Sequence, residues 1–247
     1  MIRAAILDLD GTLIGKSEEV SDRVAGTVSE LSQKIPITIA TGREPAHAIK
    51  FARQLGFTSP QISDGGASIL DPAAGQSLWS VHLAPEDARE IVSSLEKWGT
   101  AFIATNSKGS VTGTSQVTDW NLIRVSALDL NETGADGLLA QFDSNPALQL
   151  VKVFLPYNDL WAVDFTCSGV DKASGVLRLS QMIGVDPRDM VAAGDSYNDV
   201  PLLRLCGLSI AMGDAPDEVK ALADYVAPSV EEDGLAVAIE EWVLPRL

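Results

Sequence analysis

Two carboxylates one residue apart, at the end of a short apolar run, constrain this chain more than any other feature: Ala4-Ala5-Ile6-Leu7-Asp8-Leu9-Asp10-Gly11-Thr12. The apolar run reads as a strand buried on both faces. Residues at i and i+2 of extended backbone project to the same side, so Asp8 and Asp10 share one face. An ionised carboxylate at the end of a buried strand is costly unless it is compensated. Two side by side repel, and a divalent cation relieves both. A plain Asp-Gly turn would explain Asp10 and Gly11 but leaves Asp8 without a reason. The stretch therefore points to a metal and phosphoryl site.

The chain continues as alternating strands and helices. A helix is expected over 21–33 with Ser21 near its N-cap, then a strand 35–40 closed by Thr41-Gly42-Arg43-Glu44. A helix from Pro45 to Leu55 follows, with Gly56 as its stop. A strand 60–63 closes at Asp64-Gly65-Gly66, and 68–70 with 78–81 suggest a hairpin. The pattern resumes with a helix from Lys172 to Ile183, then a strand 189–193 ending in Gly194-Asp195-Ser196-Tyr197-Asn198-Asp199. A helix after Pro201, a strand 208–212, a helix 216–223, the strand 225–226 and a helix 234–243 complete it. Such alternation predicts a Rossmann-like, doubly wound α/β parallel sheet, with ligands beyond the carboxyl ends of its strands. Asp8, Thr41, Asp64 and Asp195 stand at such ends.

Between these halves the pattern differs. Helices over 86–98 and 134–142 accompany short strands at 101–105, 116–119, 123–129, 148–155 and 160–166. The reading is a core of residues 1–82 and 167–247 with an inserted α+β cap, 83–166. The insert carries eleven acids against five bases, a net −6. Over the whole chain 34 acids face 18 bases, which disfavours nucleic acid and anionic membranes as partners. Cys167 and Cys206 lie far apart and read as reduced thiols. No apolar run reaches membrane-spanning length. Asp8 and Asp10 interrupt the early apolar stretch, so no signal peptide and a cytoplasmic location are expected. His47 and His82 have no ligand spacing, and the tryptophans read as packing residues. Nothing fixes an oligomeric state.

Asp8-Leu9-Asp10-Gly11-Thr12, Thr41-Gly42-Arg43, Lys172 and Gly194-Asp195-Ser196-Tyr197-Asn198-Asp199, in that order, resemble the four signatures of the haloacid dehalogenase superfamily of aspartate-nucleophile phosphatases. Gly169-Val170-Asp171-Lys172, Ala211-Met212-Gly213-Asp214-Ala215-Pro216 and Glu231-Glu232-Asp233-Gly234 are similar to its Cof-type branch, whose α/β cap lies between the second and third signatures. The resemblance covers both core segments, with the cap matched by position and pattern alone.

The resemblance implies a Mg²⁺-dependent phosphatase of small phosphorylated metabolites, with sugar phosphates the leading class. Asp8 would be the nucleophile and Asp10 the acid and base. Thr41, Gly42, Lys172 and Asn198 would hold the phosphoryl group, and Arg43 is a candidate substrate contact. Asp8, Asp10 through its main-chain carbonyl, and Asp195 would bind the metal, with Asp199 behind them. Four of these residues also have a plainer reading: strand end for Thr41, solvated helix residue for Lys172, N-cap for Asp199, surface ion pair for Arg43. The chain departs from the Cof-type pattern where Asp64-Gly65-Gly66-Ala67 replaces the usual Asn-Gly-Ala, which alters the surroundings of the mouth but not the nucleophile. Rival readings are a phosphoglycolate phosphatase, a phosphomutase, disfavoured because mutases usually carry a helical cap, and a non-catalytic sensor of phosphorylated ligands. The acid at Asp10 argues against halide displacement.

Overall fold

The computed structural model describes residues 1–155 and 158–247. In chain order the elements are β1 (Ala4–Leu7), α1 (Asp22–Ser32), β2 (Ile37–Ile39), α2 (Pro45–Gln54), β3 (Gln61–Ser63), β4 (Ser68–Asp71), β5 (Gln76–Ser80), α3 (Pro85–Trp98), β6 (Phe102–Asn106), β7 (Gly109–Val111), β8 (Arg124–Leu130), α4 (Glu132–Phe142), β9 (Leu148–Leu155), β10 (Leu160–Cys167), α5 (Lys172–Ile183), β11 (Met190–Gly194), α6 (Val200–Leu205), β12 (Leu208–Ala211), α7 (Asp217–Lys220), β13 (Tyr225–Val226) and α8 (Gly234–Ala238). They form two compact units, Met1–Leu78 with Asp171–Leu247, and Trp79–Val170.

The first unit is an α/β layer structure on a parallel sheet of order β13-β12-β11-β1-β2. All four residues of β1 are buried, as a strand covered on both faces requires. Ala5, Leu7, Ile37, Ile39, Val191 and Ala193 point to one side, where Val24, Val28 and Leu31 of α1 and Leu235, Ala236 and Ile239 near the C-terminus meet them. Ser21 caps α1 by accepting the Val24 N–H at 3.2 Å, and its hydroxyl donates to Asp233 at 2.5 Å. Beyond β2, β3 joins through a single parallel bridge, Ala40 to Ile62. The fully buried Gln61 amide replaces the missing ladder: it accepts the Ile39 N–H at 2.7 Å and donates to the Ser59 carbonyl at 2.6 Å. β3 then turns back antiparallel into β4, and β5 lies beyond β4 in the same three-stranded sheet.

The second unit is an antiparallel sheet of order β7-β6-β8-β10-β9. Helices α3 and α4 cover the face bearing Phe102, Ala104, Val125, Ala127, Val163 and Phe165, with Ile91, Leu95, Leu138 and Phe142 against it. Period-two alternation puts Thr105, Arg124, Ser126, Asp164 and Thr166 on the opposite face. Arg124 donates to Ser126 at 2.5 Å and Asp164 at 3.1 Å, and Ser126 bonds Asp164.

Several expectations need correction. No strand forms at 116–119: a 3₁₀ turn, Thr114–Gln116, precedes an Asx turn in which Asp119 accepts the Asn121 N–H. The polar stretch from Asn106 to Ser110, for which no strand is expected, makes a hairpin into β7, because Asn106 accepts the Lys108 N–H and turns the chain. The helix expected over 216–223 spans only Asp217–Lys220, and the one over 234–243 changes to π geometry at Ile239. The second unit begins at Trp79 and ends at Val170, where 83 and 166 had been expected as bounds. Strand β10 runs on to Cys167, and the Ser168 N–H bonds Ala147 within that unit.

Gln61→Leu strands the buried Ile39 N–H. It is expected to lower the unfolding free energy by about 1–3 kcal/mol, read as a lower urea midpoint at unchanged slope.

Candidate active site

Strand β1 lies between β2 and β11, and the chain leaves β1 toward β2 but returns to β11 on its other side. At such a reversal the connections diverge and open a crevice at the carboxyl ends. Pairing of Leu7 with Ala193 sets Asp8 beside Gly194, and the Asp8 N–H donates to the Ala193 carbonyl at 3.0 Å. Asp8 and Asp195, 187 positions apart in the chain, thus leave adjacent strand ends together. Gly11 follows with φ of +77°, and a Cβ there would stand 2.2 Å from the Asp195 carboxylate. Only glycine permits both the turn and that approach.

Lys172 arrives from a third direction. It is the first residue of α5, whose N-cap Asp171 accepts the Ser174 N–H at 2.7 Å while Ser174 Oγ accepts the Asp171 N–H at 3.0 Å. The 64–66 turn packs on this start so closely that a Cβ on Gly66 would meet the Asp171 carbonyl at 2.0 Å. Lys172 is 2% exposed, and its Nζ donates to Asp8 Oδ1 at 2.5 Å and Asp199 Oδ1 at 2.6 Å. The other Asp199 oxygen accepts the N–H groups of Asp195 and Ser196 at 3.0 and 3.1 Å. Asp199 therefore orients both the ammonium and the loop that carries Asp195.

The charges do not balance. Asp8, Asp195 and Asp199 offer oxygens within 4.8 Å of one another, against one ammonium. Burial, then the neighbouring Asp199 carboxylate, pushes the Asp8 carboxyl well above its ordinary range and Asp195 up to about 7. Asp199 and Asp8 together hold the Lys172 ammonium above its usual value against the opposing effect of its burial. Asp195 Oδ1 is buried without a hydrogen-bond partner in the described structure. An orphaned carboxylate oxygen, excess negative charge and an all-oxygen donor set together fit a hard divalent cation.

The other expected residues are near, in different arrangements. Thr41, fully buried at the end of β2, accepts the Arg43 N–H at 3.0 Å, with Gly42 between them. The Asp10 side chain is not in the acidic cluster: Arg43 Nε donates to its two oxygens at 3.1 and 3.0 Å and Nη2 to Oδ1 at 2.6 Å. Asn198 accepts from Ser196 Oγ at 2.7 Å through its amide oxygen, which leaves its amide hydrogens to donate. Asp64 is buried with φ of +53°, a region Asp tolerates much as Asn does. Its N–H donates to the Arg43 carbonyl at 3.0 Å, and the Gly65 N–H to Thr41 at 3.0 Å. The departure from Asn-Gly-Ala thus keeps a backbone clasp on the Thr41 loop. Glu18, which no sequence pattern marks, accepts from Arg43 Nη2 at 2.7 Å through its carboxylate.

Lys172→Met leaves two buried carboxylates without their cation. In EDTA it is expected to destabilise the chain by about 3–5 kcal/mol, measured by urea denaturation against wild type.

A family model described as haloacid dehalogenase-like hydrolase matches residues 5–126 and 116–239. The chain is 28% identical to 5-amino-6-(5-phospho-D-ribitylamino)uracil phosphatase YcsE of Bacillus subtilis, over 98% of this chain and 96% of that one. It is also 28% identical to a phosphoglycolate phosphatase of Methanopyrus kandleri, over 98% and 97%. A crystal structure of a haloacid dehalogenase-like hydrolase from Bacteroides thetaiotaomicron shares the fold with a TM-score of 0.83 at 22% identity, covering 97% of this chain and 99% of that one. A subclass IIB sugar phosphatase does so at 0.80 and 20% identity, covering 98% and 99%. The four ordered signatures, the acidic cluster at the sheet's reversal and the matched family model agree: the chain belongs to the haloacid dehalogenase-like hydrolases, in their Cof-type phosphatase branch.

Proposed function

We propose that the chain hydrolyses monophosphate esters of sugars or polyols through a phosphorylated Asp8, with Mg²⁺ as its metal. The observation that carries this reading is Asp8 itself, a buried carboxylate at the reversal crevice with one oxygen held by Lys172. That bond fixes the carboxylate plane and leaves the second oxygen to attack phosphorus in line. As the Asp8 oxygen–phosphorus bond forms, the bond from phosphorus to the ester oxygen breaks. Asp10 gives its proton to that oxygen, and the alcohol leaves. Asp10 then takes a proton from water attacking the same phosphorus, the acyl phosphate bond breaks, and phosphate leaves with Asp8 restored.

Lys172 and Thr41 stabilise the equatorial oxygens. The Thr41 hydroxyl already accepts from Arg43 and so has its proton to donate; Asn198 offers its amide hydrogens, and the main chain at Gly42 lines the same loop. Asp8, Asp195 and the main-chain carbonyl of Asp10 would hold Mg²⁺, while Asp199 secures Lys172 and the Asp195 loop. Bound there, the metal neutralises the excess carboxylate charge and offsets charge on the phosphoryl group.

The insert, read as a substrate-selecting cap, supports a substrate with one anionic group. Of its five bases, Arg124 faces Asp164, Lys152 holds Asp136 at 2.5 Å and lies near Glu132, Lys108 pairs with Asp119, and Arg89 stacks on Trp120. Four of the five are thereby engaged, whereas a clamp for a second phosphate or a carboxylate needs cations to spare. The phosphorylated ribityl chain in the YcsE name is consistent with a polyol ester. The Methanopyrus kandleri relative's name favours phosphoglycolate as the second reading. Retention of Asp8, Asp10, Lys172 and Asp195 together speaks against a silent sensor.

Phosphate release from a panel of esters decides among these. Sugar and polyol monophosphates are expected to exceed phosphoglycolate and bisphosphates in kcat/KM, and the reverse order would overturn the substrate class. Asp8→Asn should lose turnover by on the order of 10⁴-fold and acquire no phosphoryl adduct by mass spectrometry. Asp10→Asn should lose about 10²–10⁴-fold yet still be phosphorylated by an ester with a good leaving group. Mg²⁺ should activate and Ca²⁺ inhibit, since calcium accepts more oxygens at longer distances. Full turnover in excess EDTA by protein verified metal-free would refute the metal role.

A further inference from the structure

Arg43 serves two carboxylates with one edge of its guanidinium. Nε and Nη2 hold Asp10 through three contacts of 2.6–3.1 Å, and the same Nη2 donates to Glu18 Oε1 at 2.7 Å. Both oxygens lie on Arg43 and the side chain stands outside the cluster of Asp8, Asp195 and Asp199, so to protonate an ester oxygen at Asp8 the Asp10 carboxyl must turn. Its side chain is 44% exposed, which leaves room to do so. The Arg43 side chain is more enclosed, at 22%. Deprived of Asp10 and of any other acid, it would hold an unmatched charge in a half-buried place, and so would resist the release.

Glu18 supplies the other acid, and its backbone is shaped for the purpose. Its φ is +55°, left-handed and uncommon for glutamate, in a turn closed by its N–H to the Gly15 carbonyl at 3.1 Å. Strain of this kind persists where the surroundings impose it. Here it brings the carboxylate onto Arg43. The hydrogen bond from Arg43 holds the Glu18 carboxyl below its ordinary value.

We propose that Glu18 is a positioning residue for Asp10: it retains Arg43 while Asp10 turns to the ester oxygen, and Arg43 afterwards takes Asp10 back. This rests on the reading of Asp10 as proton donor. Without Glu18, Arg43 clings to Asp10, and proton delivery to a poor leaving group suffers most.

The test compares kcat/KM for an alkyl phosphate, whose leaving oxygen needs the proton, with that for p-nitrophenyl phosphate, whose leaving oxygen does not. In Glu18→Ala the alkyl-to-aryl ratio is expected to fall about tenfold, with Glu18→Gln intermediate because it keeps shape and loses charge. In an Arg43→Met background, Glu18→Ala should move the ratio no further, since its effect runs through Arg43. An unmoved ratio in Glu18→Ala, or effects that add in the double variant, overturns the proposal. If the wild-type chain hydrolyses neither ester, the proposed phosphatase reading falls with it. If it hydrolyses both and the ratio stays fixed, the positioning role alone falls.

Discussion

The bond pair from Lys172 to Asp8 and Asp199 is the interaction on which the rest of this structure turns. An ammonium at 2% exposure is tolerable only between acids, and a buried acid only beside a cation. Neither partner is stable in its place without the other. Because three acids converge on one base, the pairing is incomplete, and the remaining negative charge suits the crevice to a divalent cation. The same imbalance that strains the site equips it.

Much of the first unit exists to bring Lys172 to Asp8. The ammonium comes from a helix start, the first residue of α5. Asp171 and Ser174 fix that start by capping each other, and Gly66 lets the 64–66 turn approach the Asp171 carbonyl. That turn is in turn bonded to the Thr41 loop through Asp64 and Gly65. Sheet register supplies the remaining coordinate, because Leu7 against Ala193 places Asp8 and Asp195 side by side. A slip of one residue would turn one of them to the wrong face.

The second unit divides its chemistry between two faces. One is apolar and carries both helices. The other joins Arg124, Ser126 and Asp164 in one hydrogen-bonded group. Basic residues there are paired as they arise: Arg124 and Asp164 sit on strands that β8–β10 pairing makes neighbours, with Ser126 opposite Asp164. Lys152 belongs to the helical side, where it reaches Asp136 and lies 4.4 Å from the Trp161 ring centroid. Arg124 and Lys152 therefore stand on opposite faces and do not form a cationic pair.

What the sequence by itself determined were the elements whose cause is local. Asp8 and Asp10 after four apolar residues, Ser21 at a helix start, and Gly194 to Asp199 after β11 could be read from periodicity, capping and turn chemistry, because each depends on residues within a few positions. The order of four signatures went further and carried the family. Tertiary structure alone decided the contacts whose partners are remote in the chain. Nothing local announces that Gln61 would stand in for a strand ladder, that Gly11 would face Asp195, or that Glu18 would share Arg43 with Asp10. Gly109–Val111 became a strand after a polar turn, because an edge position beside β6 accepts polar residues. Burial had the last word at Lys172: helix periodicity describes it as a solvated first-turn residue, and only the approach of two acids, 164 positions before it and 27 after, makes it the centre of the molecule.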